Sequence, residues 1–214
     1  MEKKRTIQSV PVIGICRHRL QTDGEGVSTL VAFHGCPLHC HYCLNPQSLD
    51  KEGDWEQYDC STLYEKVKVD ALYFLATNGG VTFGGGEPCL RSNFINDFRK
   101  FCGNDWLLTV ETSLNVSQEH IERLLPVVDR YIVDIKDMNP AIYRSYTGED
   151  NNAVIRNLQL LATRGRAEDV TLRLPLIPGY NTEEDREQSI KTLKSMGFTH
   201  FDLFIYKTFN TSPI

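Results

Sequence analysis

Three cysteines, Cys36, Cys40 and Cys43, lie within eight residues in the spacing C-x3-C-x2-C. A loop this short can bring three sulfur atoms onto one small inorganic centre, but it offers no obvious fourth thiol. An iron–sulfur cube normally takes one cysteine for each of its four irons. Three thiolates therefore leave one iron open, and an open coordination position is where a metal centre does chemistry.

The same thiols are also compatible with a zinc site. The fourth ligand would then be His34, His39, His41 or Cys60. Structural zinc sites usually have two separated pairs of ligands, whereas here three thiols are grouped and no second pair follows. The grouping favours an iron–sulfur cluster and leaves a zinc-stabilised binding module as the alternative.

The composition is that of an ordinary globular protein. A chain of 214 residues with 41% hydrophobic and 24% charged residues can bury a sizeable core. The net charge of -5 gives no reason to expect a nucleic-acid partner. No apolar run approaches a membrane span, and no signal-type segment follows the basic N-terminus. Seven cysteines, an odd number, fit a reduced compartment better than a disulfide framework, so we expect a cytoplasmic protein without membrane contact.

Apolar runs and helical stripes alternate along the chain. Six runs predict buried strands at 27–33, 81–83, 106–110, 131–133, 170–174 and 201–206. Stripes at helical spacing predict helices at 63–72, 94–101, 117–126, 154–165 and 182–197. This alternation is typical of parallel βα units, and six units are too few for a complete eight-stranded barrel. We therefore predict an α/β fold, an incomplete (βα)6 parallel barrel.

We expect one domain over residues 1–214. It divides into an N-terminal extension (1–22), the partial barrel (23–206) and a short C-terminal tail (207–214). Residues 6–16 could form an edge strand of the extension, and we expect Arg17–Arg19 to form a solvated turn.

The chemically distinctive residues follow the predicted strands. They are the cysteine loop, the glycine run with Glu87, Glu111 with Thr112, Asp134 with Lys136, and Arg173. The carboxyl ends of parallel strands form the catalytic rim of barrels and of open α/β sheets. We therefore expect these residues to contribute to one site.

Several of these segments resemble a known family. The cysteine spacing, with Tyr42 before the last cysteine, resembles the signature of the radical S-adenosylmethionine (SAM) superfamily. Gly85-Gly86-Glu87-Pro88 matches that superfamily's Gly-Gly-Glu-Pro motif. More narrowly, segments 23–26, 134–136 and 173–179 resemble, in order, those of the activating enzymes of glycyl radical enzymes, the pyruvate formate-lyase activating enzyme type.

The resemblance implies that Cys36, Cys40 and Cys43 hold three irons of a single 4Fe–4S cluster, whose fourth iron binds S-adenosylmethionine. Reductive cleavage of S-adenosylmethionine would give a 5′-deoxyadenosyl radical that abstracts hydrogen. The implied partners are a glycyl radical enzyme as protein substrate and a flavodoxin or ferredoxin-type electron donor. The alternative is a radical SAM enzyme that modifies a peptide or a small molecule. Lys207 favours this alternative, because it stands where the activating enzymes often have a histidine near the cofactor.

The resemblance also implies cofactor-binding roles for single residues. Glu87 would accept a hydrogen bond from the methionine ammonium group, a charge-assisted contact. Gly85 and Gly86 would let the backbone approach closely because they have no Cβ. Tyr42 and the backbone of Cys43 and Leu44 would line the adenine.

The remaining roles concern the other end of the cofactor. Asp134 and Lys136 would contact the ribose and the carboxylate end, and Arg173 would clamp the methionine carboxylate as a planar fork. Glu111 and Thr112 stand where related activating enzymes have Asp-Thr near a bound monovalent cation, which implies such a cation here. Lys207 would take the place of the family's histidine near the cofactor.

Overall fold

The computed structural model describes residues 8–20, 22–23 and 26–206. Their strands are β1 (Val10–Leu20), β2 (Val27–Phe33), β3 (Glu56–Tyr58), β4 (Gly80–Gly85), β5 (Leu107–Thr112), β6 (Arg130–Asp134), β7 (Val170–Leu176) and β8 (His200–Ile205). Their α-helices are α1 (Cys60–Val67), α2 (Ala71–Thr77), α3 (Ser92–Cys102), α4 (Gln118–Leu124), α5 (Pro140–Thr147), α6 (Asn152–Thr163) and α7 (Glu183–Ser195). No helix within these ranges is long and apolar enough to cross a membrane.

The strands form one sheet in the order β3-β1-β2-β4-β5-β6-β7-β8. Strand β2 pairs in parallel with β4, β4 with β5, and β7 with β8. Strand β1 runs antiparallel to both β2 and β3. Strands β3 and β8 end the order, so the sheet of the described residues is not closed. The predicted α/β class with an incomplete parallel barrel is confirmed.

Two strands were not among the six predicted. Strand β3 is only three residues long, and β1 runs further than the edge strand considered for residues 6–16. The prediction of a solvated turn at Arg17–Arg19 was wrong, because these residues belong to β1. Asp70 explains the difference, because this buried carboxylate accepts hydrogen bonds from Arg17 and from the Thr29 hydroxyl. The Arg17 guanidinium holds the pKa of Asp70 below its usual value.

The chain divides into two compact units. The first unit comprises Met1–Cys36, Asn45–Thr112 and Val116–Tyr131, and the second comprises Pro37–Leu44, Ser113–Asn115 and Ile132–Ile214. Stacked Phe33 and Phe83 lie in the core of the first unit, with ring centroids 5.5 Å apart. Buried Leu158 and Leu172 lie in the core of the second unit. The boundaries predicted for the extension, the partial barrel and the tail stay predictions.

The helix ends follow local chemistry that the sequence partly reveals. Thr182, the first residue of the predicted helix 182–197, begins α7 with a capping box: its hydroxyl accepts from the Asp185 amide, and the Asp185 carboxylate accepts from the Thr182 amide. Ser117 precedes α4 at the predicted position, but its side chain makes no capping hydrogen bond. Helix α5 was not predicted, although Asn139 accepts a hydrogen bond from the Ala141 amide and Pro140 occupies the first turn.

We expect Thr182→Ala to lower the free energy of unfolding by about 1 kcal/mol, because the amide at the third position of α7 loses its acceptor. Ser117→Ala is the matched control, and its effect should be smaller because no capping bond is lost. Urea denaturation followed by far-ultraviolet circular dichroism measures both changes. Equal effects of the two substitutions would contradict the capping role of Thr182.

Candidate functional site

The site residues predicted from the sequence are distributed over both units. The first unit contains Cys36, Gly85, Gly86, Glu87, Glu111 and Thr112. The second unit contains Cys40, Tyr42, Cys43, Leu44, Asp134, Lys136 and Arg173. Lys207 lies outside the described residues.

In the first unit, the glycine-rich segment after β4 is bound to the chain that leads into Cys36. The Gly86 amide donates to the Phe33 carbonyl at 2.9 Å, and the Glu87 amide donates to the Gly35 carbonyl at 2.8 Å. These two bonds place the Gly-Gly-Glu motif directly beside the start of the cysteine loop. The structure therefore brings together two motifs that are about fifty residues apart in the sequence.

Glycine is required at both positions of this contact. Gly85 has a φ of +89°, and a Cβ there would lie 2.7 Å from the Cβ of Ala32. A Cβ at Gly86 would lie 2.3 Å from the Gly35 carbonyl oxygen. The Asn45 side chain further fixes the segment by donating to the Gly85 carbonyl at 3.2 Å. Because Gly85 and Gly86 have no side chains, the backbone of residues 85–87 can approach the backbone of residues 32–35.

Glu87 is only 1% exposed and its carboxylate has specific partners. Its Oε1 accepts from the Thr112 hydroxyl at 2.6 Å and from the Cys89 amide at 3.0 Å. The second bond caps the 3-10 turn Pro88–Arg91. Burial raises the pKa of the Cys89 thiol well above its usual value, so that this cysteine stays neutral. Glu87 thus joins the Gly-Gly-Glu motif to the end of β5.

Glu111 lies next to Thr112 on β5 and is partly buried. A Cβ on Gly84 would lie 3.2 Å from the Glu111 Oε2 atom, so this carboxylate sits beside the glycine run. The two residues predicted to lie near a monovalent cation therefore flank the Gly-Gly-Glu segment within the first unit. A cation there stays a prediction.

In the second unit, the cysteine loop is held by backbone bonds to the end of α5. The His39 amide donates to the Thr147 carbonyl at 3.0 Å, and the His41 amide donates to the Tyr146 carbonyl at 3.1 Å. Within the loop, the Cys43 amide donates to the Cys40 carbonyl at 3.1 Å. Helix α5, which the sequence analysis missed, therefore positions the segment that carries Cys40 and Cys43.

Tyr42 lies among other tyrosines of the second unit. Its ring centroid is 5.9 Å from that of Tyr180, 6.2 Å from that of Tyr146 and 6.4 Å from that of Tyr206. Sequence reasoning predicted a role for Tyr42 but none for Tyr146 or Tyr180. The Leu44 side chain is exposed, which is consistent with a prediction that used only its backbone.

Lys136 is a buried cation near the loop. Its Nζ lies 3.3 Å from the Asp134 Oδ2. Burial lowers the pKa of Lys136, but Asp134 and Cys40 raise it more, so that the ammonium stays charged. Burial also raises the pKa of the Cys40 thiol, and Lys136 opposes that effect. The structure thus brings Asp134 and Lys136 together on the side of the second unit that contains Cys40.

Arg173 lies on β7 of the second unit and is partly buried. Its Nε is 3.5 Å from the Asp202 Oδ2, and its carbonyl accepts from the Ile135 amide at 2.9 Å. The backbone bond places Arg173 next to the Asp134–Lys136 segment. Its partner Asp202 was not predicted from the sequence.

The donor set fits an iron–sulfur cluster. All three motif cysteines are free and partly exposed, whereas Cys89 and Cys102 are buried. Thiolates are the ligands that iron–sulfur clusters take. No three histidine, cysteine, aspartate or glutamate side chains among the described residues are arranged to hold a single metal ion.

Comparison with known families gives a match over most of the chain. A family model described as the radical SAM superfamily matches residues 30–199. The (2S)-3-sulfopropanediol dehydratase activating enzyme of Klebsiella oxytoca is 27% identical, over 75% of this chain and 69% of that protein. The pyruvate formate-lyase 1-activating enzyme of Escherichia coli K12 is 28% identical, over 76% of this chain and 66% of that protein. The chain thus spans about two thirds of the length of these relatives.

Solved structures share the fold. Streptococcus suis SuiB bound to S-adenosylmethionine has a TM-score of 0.63 at 14% identity, over 85% of this chain and 43% of that one. The structure of anSMEcpe with bound AdoMet has a TM-score of 0.54 at 19% identity, over 84% of this chain and 53% of that one. At these identities the likeness concerns the fold alone.

We expect Gly86→Ala to weaken S-adenosylmethionine binding about tenfold or more, since the added Cβ must displace the Gly35 backbone at a cost of about 1–3 kcal/mol. Gly14→Ala is the matched control, because a Cβ there meets no atom within 4 Å. Equilibrium dialysis of labelled S-adenosylmethionine with the anaerobically reconstituted protein measures both. Unchanged affinity in Gly86→Ala would refute the close-approach argument.

We expect Thr112→Val to lower the free energy of unfolding by about 1–3 kcal/mol, because the buried Glu87 carboxylate loses a donor. Thr109→Val is the control on the same strand, since the Thr109 hydroxyl makes no hydrogen bond within the described residues. Chemical denaturation compares the two variants. A loss of stability no larger in Thr112→Val than in Thr109→Val would show that the Thr112–Glu87 bond contributes nothing.

Proposed function

The chain belongs to the radical SAM superfamily, and we propose that it is an activating enzyme that generates a glycyl radical on a partner enzyme. As a member of this superfamily it is an enzyme that uses a 4Fe–4S cluster and S-adenosylmethionine. This membership sets aside the zinc-stabilised binding module. The observation that carries the proposal is that the relatives described above, although named for different targets, are activating enzymes. The 4-hydroxyphenylacetate decarboxylase activating enzyme of Clostridioides difficile, 27% identical over 78% of this chain and 72% of that protein, is a third example.

When bound, the reduced cluster supplies an electron that breaks the sulfonium carbon–sulfur bond of S-adenosylmethionine, and the resulting 5′-deoxyadenosyl radical abstracts a hydrogen atom. In our proposal, Cys36, Cys40 and Cys43 hold the cluster as thiolates. The buried ammonium of Lys136 favours the thiolate form of Cys40. These residues bind and orient, and the cofactor determines the chemistry.

The cofactor-binding residues are proposed in two groups. In the first unit, the backbone at Gly85 and Gly86 lies beside the methionine end, and Glu87 holds this backbone through its bonds to Thr112 and Cys89. The Glu87 carboxylate remains our candidate acceptor for the methionine ammonium. Glu111 and Thr112 are proposed to lie near a monovalent cation.

In the second unit, Tyr42 with the backbone of Cys43 and Leu44 is proposed to line the adenine. Asp134 and Lys136 are proposed for the ribose and the carboxylate end. Arg173 is proposed as the clamp of the carboxylate. A role for Lys207 near the cofactor is likewise part of the proposal.

The partners are proposed by chemical class. The substrate is a glycyl radical enzyme, and the electron donor is a flavodoxin or a ferredoxin-type protein. We also propose a cytoplasmic location, which the free cysteines support because thiols persist in a reducing compartment. An anaerobic setting suits an oxygen-sensitive cluster.

The test uses the anaerobically reconstituted protein, a low-potential reductant, S-adenosylmethionine and a glycyl radical enzyme encoded near this gene. We expect an electron paramagnetic resonance doublet of a glycyl radical on the partner, and its loss when the partner's radical glycine is changed to alanine. Cys40→Ala should abolish both the doublet and 5′-deoxyadenosine formation. Cys16→Ala, which removes an exposed cysteine outside the motif, should abolish neither.

The two possible failures of this experiment have different meanings. Formation of 5′-deoxyadenosine without a doublet on any such partner would reject the activating function in favour of a peptide or small-molecule substrate. Transfer of deuterium from a labelled peptide into 5′-deoxyadenosine would then identify that substrate. Failure to cleave S-adenosylmethionine at all would reject the assignment of Cys36, Cys40 and Cys43 as cluster ligands.

A further inference from the structure

Arg91 lies against the chain that leads into the cysteine loop, although no motif indicates a role for it. It ends the 3-10 turn Pro88–Arg91, which the Glu87 carboxylate caps. Its Nη2 donates to the His34 carbonyl at 3.1 Å, two residues before Cys36. All of these residues belong to the first unit.

The backbone around this contact is fixed on several sides. The His34 amide donates to the Pro11 carbonyl at 3.0 Å, and the Gly35 amide donates to the Ser48 carbonyl at 2.8 Å. Gly35 has a φ of +98°, and a Cβ there would lie 3.4 Å from the Arg91 Nη2 atom. The guanidinium therefore binds His34 and lies close to Gly35, the two residues immediately before Cys36.

Arg91 is one of the arginines that form no ion pair within the described residues. Six others each face a carboxylate: Arg17 with Asp70, Arg19 with Asp23, Arg99 with Asp129, Arg166 with Asp169, Arg173 with Asp202, and Arg186 with Glu183. Within residues 8–20, 22–23 and 26–206, Arg91 pairs with no carboxylate, and its one side-chain bond goes to a neutral carbonyl.

A cation in this position affects the redox chemistry of a cluster. Arginine stays protonated at any ordinary pH, so partial burial leaves its charge in place. One-electron reduction of a cluster adds one negative charge, and the surrounding charges and hydrogen bonds set the reduction potential. A positive charge that no carboxylate neutralises favours the reduced state.

We propose that Arg91 is a positioning residue that raises the reduction potential of the cluster bound by Cys36, through an unneutralised positive charge beside the loop. The electron comes from an external low-potential donor, and Arg91 neither gives nor takes an electron or a proton. This inference rests on the cluster and not on the glycyl radical partner.

The experiment separates the charge of Arg91 from its hydrogen bond. Arg91→Gln keeps a hydrogen-bond donor and removes the charge, whereas Arg91→Lys keeps the charge. Arg123→Gln is the matched control, because Arg123 donates to the Ser92 hydroxyl and not to the backbone before Cys36. Iron and sulfide content are measured first, and the clusters are then titrated potentiometrically and followed by electron paramagnetic resonance.

At a fixed solution potential we expect the ratio of reduced to oxidised cluster to fall about tenfold in Arg91→Gln, which corresponds to a midpoint about 59 mV lower. At the same potential, the ratio of reduced to oxidised cluster in Arg91→Lys and in Arg123→Gln should stay within about twofold of the ratio in the unaltered protein. In Arg91→His, the ratio should fall as the pH rises through about 6.5, where the imidazole loses its charge, beyond any change in the unaltered protein.

Three outcomes would overturn the proposal. The first is an unchanged midpoint in Arg91→Gln, and the second is an equal shift in Arg91→Lys and Arg91→Gln. The third is failure of Arg91→Gln and Arg91→His to assemble a cluster while Arg91→Lys assembles one of unaltered potential, which would assign Arg91 a structural role only. The titration requires no partner enzyme, so its failure is distinguishable from a failure of the proposed activating function.

Discussion

Two backbone hydrogen bonds, from Gly86 to Phe33 and from Glu87 to Gly35, hold the glycine-rich segment against the approach to Cys36. Cβ atoms on Gly85 and Gly86 would enter the space of Ala32 and Gly35. The two bonds therefore form only because these residues are glycines. Parallel pairing of β2 with β4 brings the ends of both strands to this point. The sheet thus brings the start of the cysteine loop and the glycine-rich turn to the same place, and Glu87 links both to β5.

In the second unit, the end of a helix, and not a glycine-rich segment, holds the cysteine loop. Helix α5 holds the middle of the cysteine loop through its last carbonyls, and tyrosine rings surround Tyr42. The buried ammonium of Lys136 brings a permanent charge near Cys40, which Asp134 partly balances. A cysteine that must be a thiolate is more easily deprotonated beside such a cation.

The sequence predicted the parts of the fold that depend on local patterns. The run 27–33 became β2, and Thr182 became the cap of α7, because hydrophobicity and side-chain capping act over a few residues. Strand β1 was misjudged at Arg17–Arg19, since its partner Asp70 lies about fifty residues away. The same limit applies to the site. Motifs identified Cys36 and Glu87, but Arg91 and Tyr180 became visible only through contacts that depend on the folded chain.

The close packing at Gly85 and Gly86 also restricts how this gene can change. Every missense change of a glycine codon adds at least a Cβ atom to the residue, whichever base is altered. At these two codons that carbon would enter space occupied by Ala32 or Gly35. Both positions therefore tolerate only synonymous changes, and amino-acid diversification of descendants has to proceed elsewhere along the chain.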